Sequence, residues 1–170
     1  MAEIGAGRVG HVLSLSPATV GSMPRREREL ELPWSVIYYQ APDGSAPAID
    51  FLSGCTGKIE GEFAAVLDAV AAAPPPRFSG GGKWEAMHGT MSSWHEIRLT
   101  GPGREQFRLF CLLENGSPTE LARRGLQRPA IAAITGMRKP WRTTFSDRDY
   151  QRVRTLGEAH QRNYPRAIAI

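Results

Sequence analysis

Apolar positions recur along this chain with two different periods, and the switches between them mark its elements. Trp34–Gln40, WSVIYYQ, is β-branched and aromatic, with Pro33 before it and Pro42-Asp43-Gly44 after it, so it reads as a strand. Pro47–Ser53 carries Ile49, Phe51 and Leu52 and reads as a short helix, broken by Gly54 and Gly57. Over Lys58–Ala73, Ile59, Phe63, Val66, Leu67 and Val70 fall on one helical face. Alanine favours that helix, and Pro74-Pro75-Pro76 ends it. Trp94–Thr100 and Gln106–Glu114 are aromatic and aliphatic runs joined by Gly101-Pro102-Gly103, the pattern of a hairpin. PAIAAIT, within Arg128–Thr135, predicts a further strand. Ser146 and Asp149 form an S-x-x-D capping box that opens a last helix. Tyr150, Val153, Leu156 and His160 give that helix a narrow apolar face, and it ends near Tyr164-Pro165.

The predicted order is strand, helix, helix, strand, strand, strand, helix. The last three strands are close in sequence and are expected to pair mostly antiparallel. Helices collected on one side of such a sheet make an α+β domain, read here as residues 34–164. Residues 1–33 read as an extension, partly disordered or a short helix near Arg25–Leu32, and 165–170 as a tail. Residues 115–127 read as an inserted loop with a helical turn at Thr119–Arg124. Ser79–Gly82 reads as a flexible loop and Gly136–Arg142 as a basic one.

Composition adds an asymmetry. The chain has a net charge of +4, but residues 1–97 hold 7 Lys+Arg against 11 Asp+Glu, and residues 98–170 hold 14 against 6. A basic half points to an anionic partner, for which RNA or DNA is the usual choice. No apolar run approaches the roughly 20 residues a membrane helix needs, and no charged segment followed by an apolar one marks a secretory signal. A cytoplasmic protein without membrane contact is therefore expected. Cys55 and Cys111 lie far apart and read as reduced thiols. The four histidines offer no H-x-x-x-H pair and the carboxylates are not clustered, so neither a metal nor another cofactor is expected.

Charged residues inside apolar strands are the first candidates for chemistry. Arg98 and Arg108 sit on paired strands and can project to one face as a phosphate clamp, or pair with Glu96 or Glu85. Trp94, Glu96 and Arg98 alternate onto the same face, with Glu96 as a positioning partner; His95 alternates with Ile97 and Leu99 toward the core. Arg138, Lys139 and Arg142 are basic residues of the loop after the last strand, with Trp141 among them as a base-stacking group or a core plug. His88 offers an imidazole, whose ordinary pKa of about 6.5 suits a base or an acid.

These pieces in this order resemble the RelE/HigB superfamily of toxin–antitoxin ribonucleases, in particular its phage-derived, HigB-like branch. The resemblance spans Trp34 to Arg162. It rests on Tyr38-Tyr39, Asp50-Phe51-Leu52, the "elR"-like Trp94-His95-Glu96-Ile97-Arg98 and the "yRv"-like Phe107-Arg108-Leu109-Phe110. It also rests on AITGMRKPWRT, within Ile131–Thr144, which is similar to the "hgf-KK" segment, the usual lysine pair standing here as Arg138-Lys139. The resemblance implies a RelE-like fold: a small, mostly antiparallel sheet packed against two N-terminal helices, with a C-terminal helix. It implies a toxin that cleaves mRNA, in many members on the translating ribosome, and that a cognate antitoxin neutralises. The implied reaction is metal-free attack of a ribose 2′-OH on the adjacent phosphate, needing a base, fixed cations and an acid. Arg98, Arg108, Lys83, His88 and Lys139 are then the expected catalytic residues, Lys83 because some members keep a lysine acting as base at this place. Arg138, Trp141 and Arg142 are expected to bind RNA. The general base stays open among Lys83, His88, Lys139 and His95. The alternative is an inactive RelE-like module that binds nucleic acid or protein.

Overall fold

The β-branched and aromatic runs form strands and the alanine-rich run forms a helix, as side-chain shape dictates. In this computed structural model, which describes residues 32–74 and 82–169, the sheet comprises β1 (Ser35–Tyr39), β2 (Trp84–Ala86), β3 (Trp94–Thr100), β4 (Gln106–Glu114), β5 (Ala130–Lys139) and β6 (Ile168–Ala169). The helices are α1 (Pro47–Ser53), α2 (Gly57–Ala72), α3 (Pro118–Arg123) and α4 (Asp147–Arg162). The extension through residue 31 and the loop at 75–81 lie outside the described residues. Among the described residues no helix is long and apolar enough to cross a membrane.

The architecture is α+β, with a six-stranded mixed sheet in the order β2-β3-β4-β5-β1-β6. Only β1 and β5 pair in parallel; the other neighbours are antiparallel. Strand alternation splits the apolar residues into two layers. Ile97, Leu99, Leu109 and Ile131 pack with Leu52, Ile59, Phe63 and Leu67 of α1 and α2. Trp94, Phe110, Leu112 and Ile134 pack with Leu121 of α3 and Val153 of α4. The helices are thus on both faces, not gathered on one, because both sides of the central strands are apolar and both must be covered.

Of the further expectations, those for the tail and the basic loop are corrected. The stretch 83–89 holds a short strand, β2, stabilised by its ladder to β3 although only three residues long. The helical turn expected within the inserted loop is present as α3, capped by a box between Ser117 and Glu120. The tail adds β6 to the free edge of β1. The basic loop begins later than expected: Gly136 to Lys139 continue β5, because β4 offers partners as far as Gln106. Gly136 permits this, since a Cβ there would clash with the Phe51 ring.

Candidate functional site

The β3–β4 register sets Arg98 directly opposite Arg108, so both side chains leave the same face of the sheet. This is the face that α4 covers, since Glu96 pairs with Phe110, and Phe110 packs in the α4 layer. Glu85 of β2 lies opposite Glu96 and joins them. The four side chains form one ion cluster. Arg98 reaches Glu85 Oε2 through Nη2 and Glu96 Oε1 through Nε, each at 2.7 Å. Arg108 Nη1 lies 3.7 Å from Glu96 Oε1, beyond hydrogen-bond length, and this buried donor has no hydrogen-bond partner. Arg108 Nη2 donates to Gln106 Oε1 at 3.3 Å. Glu96 is 4% exposed, so the shared carboxylate is a fixed, desolvated anchor between two guanidiniums.

A β-bulge decides who else joins. Phe110 pairs with Thr135 and Cys111 with Ala133, which leaves Ile134 as an extra residue on β5. Before the bulge, even-numbered residues of β5 face α4; after it, Met137 and Lys139 do, opposite Arg108 and Gln106. Lys139 is accordingly held by Asp149 of α4 at 3.1 Å. Asp149 also closes the capping box with Ser146, whose backbone N–H, together with Lys139, holds its carboxyl down at about 2. Arg108 and Lys139 both lie over the Phe145 ring, at 5.6 and 5.9 Å from its centroid.

Tyr150, in the first turn of α4, packs edge-on against Phe110 at 6.1 Å. Burial first, then the Glu96 carboxylate, push its phenol up, with Arg108 and Arg98 acting against them. Tyr150, His88, Asp147, Glu85, Glu96 and Arg98 line a pocket of about 360 Å3. On the other side of Arg98, a groove of about 600 Å3 is lined by Arg98, Thr100, Arg104, Gln106, Arg108 and Trp141. Trp141 is 46% exposed, a surface group and not a core plug; the guanidiniums of Arg104 and Arg142 lie 4.6 and 4.4 Å from its centroid.

Of the residues singled out from sequence, Arg98, Arg108, His88 and Lys139 come together on one face, with Trp141 and Arg142 beside them. Two do not join. The Lys83 ammonium is engaged at 3.3 Å by Glu62 of α2, the helix on the opposite face. Arg138 lies opposite Phe107, whose ring packs in the α1–α2 layer, and sits 3.9 Å from Glu105. His95 is half-buried against Trp84, stacked at 4.9 Å, and burial pushes its pKa down, so it is neutral at pH 7.

Sequence reasoning missed Tyr150 and Arg104 as site residues. Tyr150 was legible only as part of an apolar stripe, and Arg104 only as a turn residue. It also missed a buried network at the far end of β4. Glu114, 3% exposed, accepts from His160 Nε2 at 2.8 Å and Arg166 Nε at 2.7 Å, and meets Arg124 Nη1 at 2.9 Å. Burial opposes its charge, but the His160 and Arg166 hydrogen bonds prevail and hold its carboxyl down at about 2. Arg166 Nη1 also donates to the carbonyls of Gln161 and Asn163. Both cysteines are free thiols, Cys111 buried and Cys55 half-buried. Among the described residues no three His, Cys, Asp or Glu side chains converge as metal ligands.

Chemically, this face offers two guanidiniums fixed across a strand pair, an ammonium, an imidazole and a phenol. Searches of family models, of curated proteins and of solved structures return no significant match to this chain.

Proposed function

We propose that this chain is a RelE/HigB-like toxin, an endoribonuclease that cleaves mRNA without a metal ion. The carrying observation is the register of Arg98 against Arg108, two guanidiniums on one face with one buried donor, Arg108 Nη1, lacking a hydrogen-bond partner. Fork-shaped donors of this kind suit phosphate oxygens. In the proposed reaction the 2′-oxygen bonds to phosphorus while the bond to the 5′-oxygen breaks, leaving a 2′,3′-cyclic phosphate and a free 5′-hydroxyl. His88 takes the 2′-OH proton. Arg98 and Arg108, with Lys139 behind them, stabilise the charge that builds on the five-coordinate phosphorus. Tyr150, a phenol protonated at neutral pH, gives a proton to the leaving oxygen. Glu85, the more exposed carboxylate, yields Arg98 to the phosphate, while buried Glu96 keeps both guanidiniums aligned. The substrate is mRNA, free or on the translating ribosome, and the partner is a cognate antitoxin in the cytoplasm; the order of motifs along the chain supports this reading.

A second reading has an observation of its own: Glu85 and Glu96 already match the two arginines charge for charge. That suits a module that binds RNA without cutting it. Purified protein, beside an Arg98→Ala/Arg108→Ala variant, is assayed on RNA alone and in a translating extract. Cleavage products with cyclic phosphate ends, abolished in the variant, are expected. Salt-sensitive binding with no cleavage in either setting selects the second reading.

A further inference from the structure

The groove beside Arg98 ends at a cluster whose charge is not matched. Arg104 comes from the β3–β4 turn and Arg142 from the connection between β5 and α4, yet both guanidiniums rest on the one exposed indole of Trp141. Both arginines have left-handed backbones, with φ of 61° and 65°; Ser93 is the one other non-glycine residue like this among those described. L-residues rarely adopt this conformation, and it persists where surrounding structure or function demands it. Arg98, Arg108, Arg138 and Lys139 each have a carboxylate within 4 Å. Among the described residues, none stands that close to Arg104 or Arg142; their partner is the indole.

We propose that Arg104, Trp141 and Arg142 form a second anion subsite, one that grips the sugar–phosphate backbone of single-stranded RNA next to the scissile phosphate. The inference rests on RNA being the ligand, as proposed above, and assigns Trp141 a different task from base stacking. An indole stacked on guanidiniums orients them without neutralising them, and their edge N–H groups stay available for phosphate oxygens. A phosphate bound here displaces no carboxylate, unlike one bound at Arg98. Arg104 and Trp141 line the same groove as Arg98 and Arg108, so one strand can lie across both places. The uncompensated pair captures the strand, and the compensated pair engages it afterwards.

The test is fluorescence anisotropy with a labelled single-stranded oligouridylate over a range of salt. The wild type is compared with Arg104→Gln/Arg142→Gln, with Trp141→Ala, and with a charge-matched control on α4, Arg148→Gln/Arg152→Gln. Removing two phosphate contacts on a single strand should lower the slope of log K against log salt by about 1.4. Trp141→Ala, which leaves the charges but not their support, should weaken binding with a smaller change of slope. Thermal melts show that the variants fold. Unchanged affinity and slope in the arginine variant overturn the inference. So does an equal loss in the control, which reports only overall charge, and so does loss confined to Trp141→Ala, which reports base stacking. Wild type that binds with the expected slope but cuts nothing sinks the catalytic reading alone. Wild type that does not bind the oligouridylate overturns the inference, and cleavage in the translating extract then decides the catalytic reading separately.

Discussion

Glu85 and Glu96 hold the same guanidinium with opposite consequences. Glu85 is at the solvent edge of the cluster and its pair with Arg98 is worth under about 1 kcal/mol, as exposed ion pairs are. Glu85→Gln should leave the melting temperature nearly unchanged and raise RNA affinity, read by the same anisotropy titration, because Arg98 is released. Glu96 is buried under two arginines, and Glu96→Gln should cost about 1.5–3 kcal/mol in a urea titration and weaken RNA binding as the pair loses alignment. Glu114 makes a pH prediction. Its folded pKa, about 2, lies below its ordinary 4.5, so the unfolded chain takes up the proton more readily. Its contribution is complete above the ordinary value and is lost as pH falls toward 2, a change on the order of 3 kcal/mol. Urea midpoints at pH 7 and pH 3 should differ more in the wild type than in Glu114→Gln. A difference of equal size in both assigns the acid sensitivity to other groups, Asp149 first, since its carboxyl is also held down.

At the scale of elements, α4 approaches the sheet so closely that a side chain is excluded at one point. A Cβ on Gly157 would clash with Trp94 Cζ2. Gly→Ala in a helix ordinarily stabilises by up to about 1 kcal/mol, but here overpacking of about 1–3 kcal/mol wins. Gly157→Ala should lower the melting temperature, and a rise would mean that the helix shifts freely on the sheet. The same closeness brings Tyr150 and Asp149 to the arginine face, so this variant should also weaken any activity that face has. The C-terminal strand is equally integral. Arg166 ties the segment before β6 to Glu114 and to the end of α4. Arg166→Ala leaves a buried carboxylate short of a partner and should destabilise by about 3–5 kcal/mol, measured by urea denaturation.

For the molecule as a whole, the strands β1, β3, β4 and most of β5, the helices α2 and α4, and the hairpin turn follow from residue types alone. Side-chain branching, helical spacing, proline stops and the Ser146 capping box act over a few residues and are written in the chain. The pairing of Arg98 with Arg108 was legible too, because the turn after Thr100 sets the register of the strands it joins. Short β2 and β6 were not legible: β2, at three residues, is too short for a periodic pattern, and β6 is held by a ladder to β1, distant in sequence. The two-sided placement of the helices was likewise invisible, since an apolar strand does not announce how many of its faces are buried. The bulge at Ile134 is the sharpest case. Read as a regular strand, β5 would send Arg138 to the face of Arg98 and Lys139 away from it. One extra residue inverts that parity, where β5 must fit both β4 and the Phe51 ring over Gly136. Local chemistry by itself determined which residues could serve a phosphate site. The tertiary register, which depends on packing against partners far along the chain, decided that Lys139 stands with the arginines and that Arg138 and Lys83 do not.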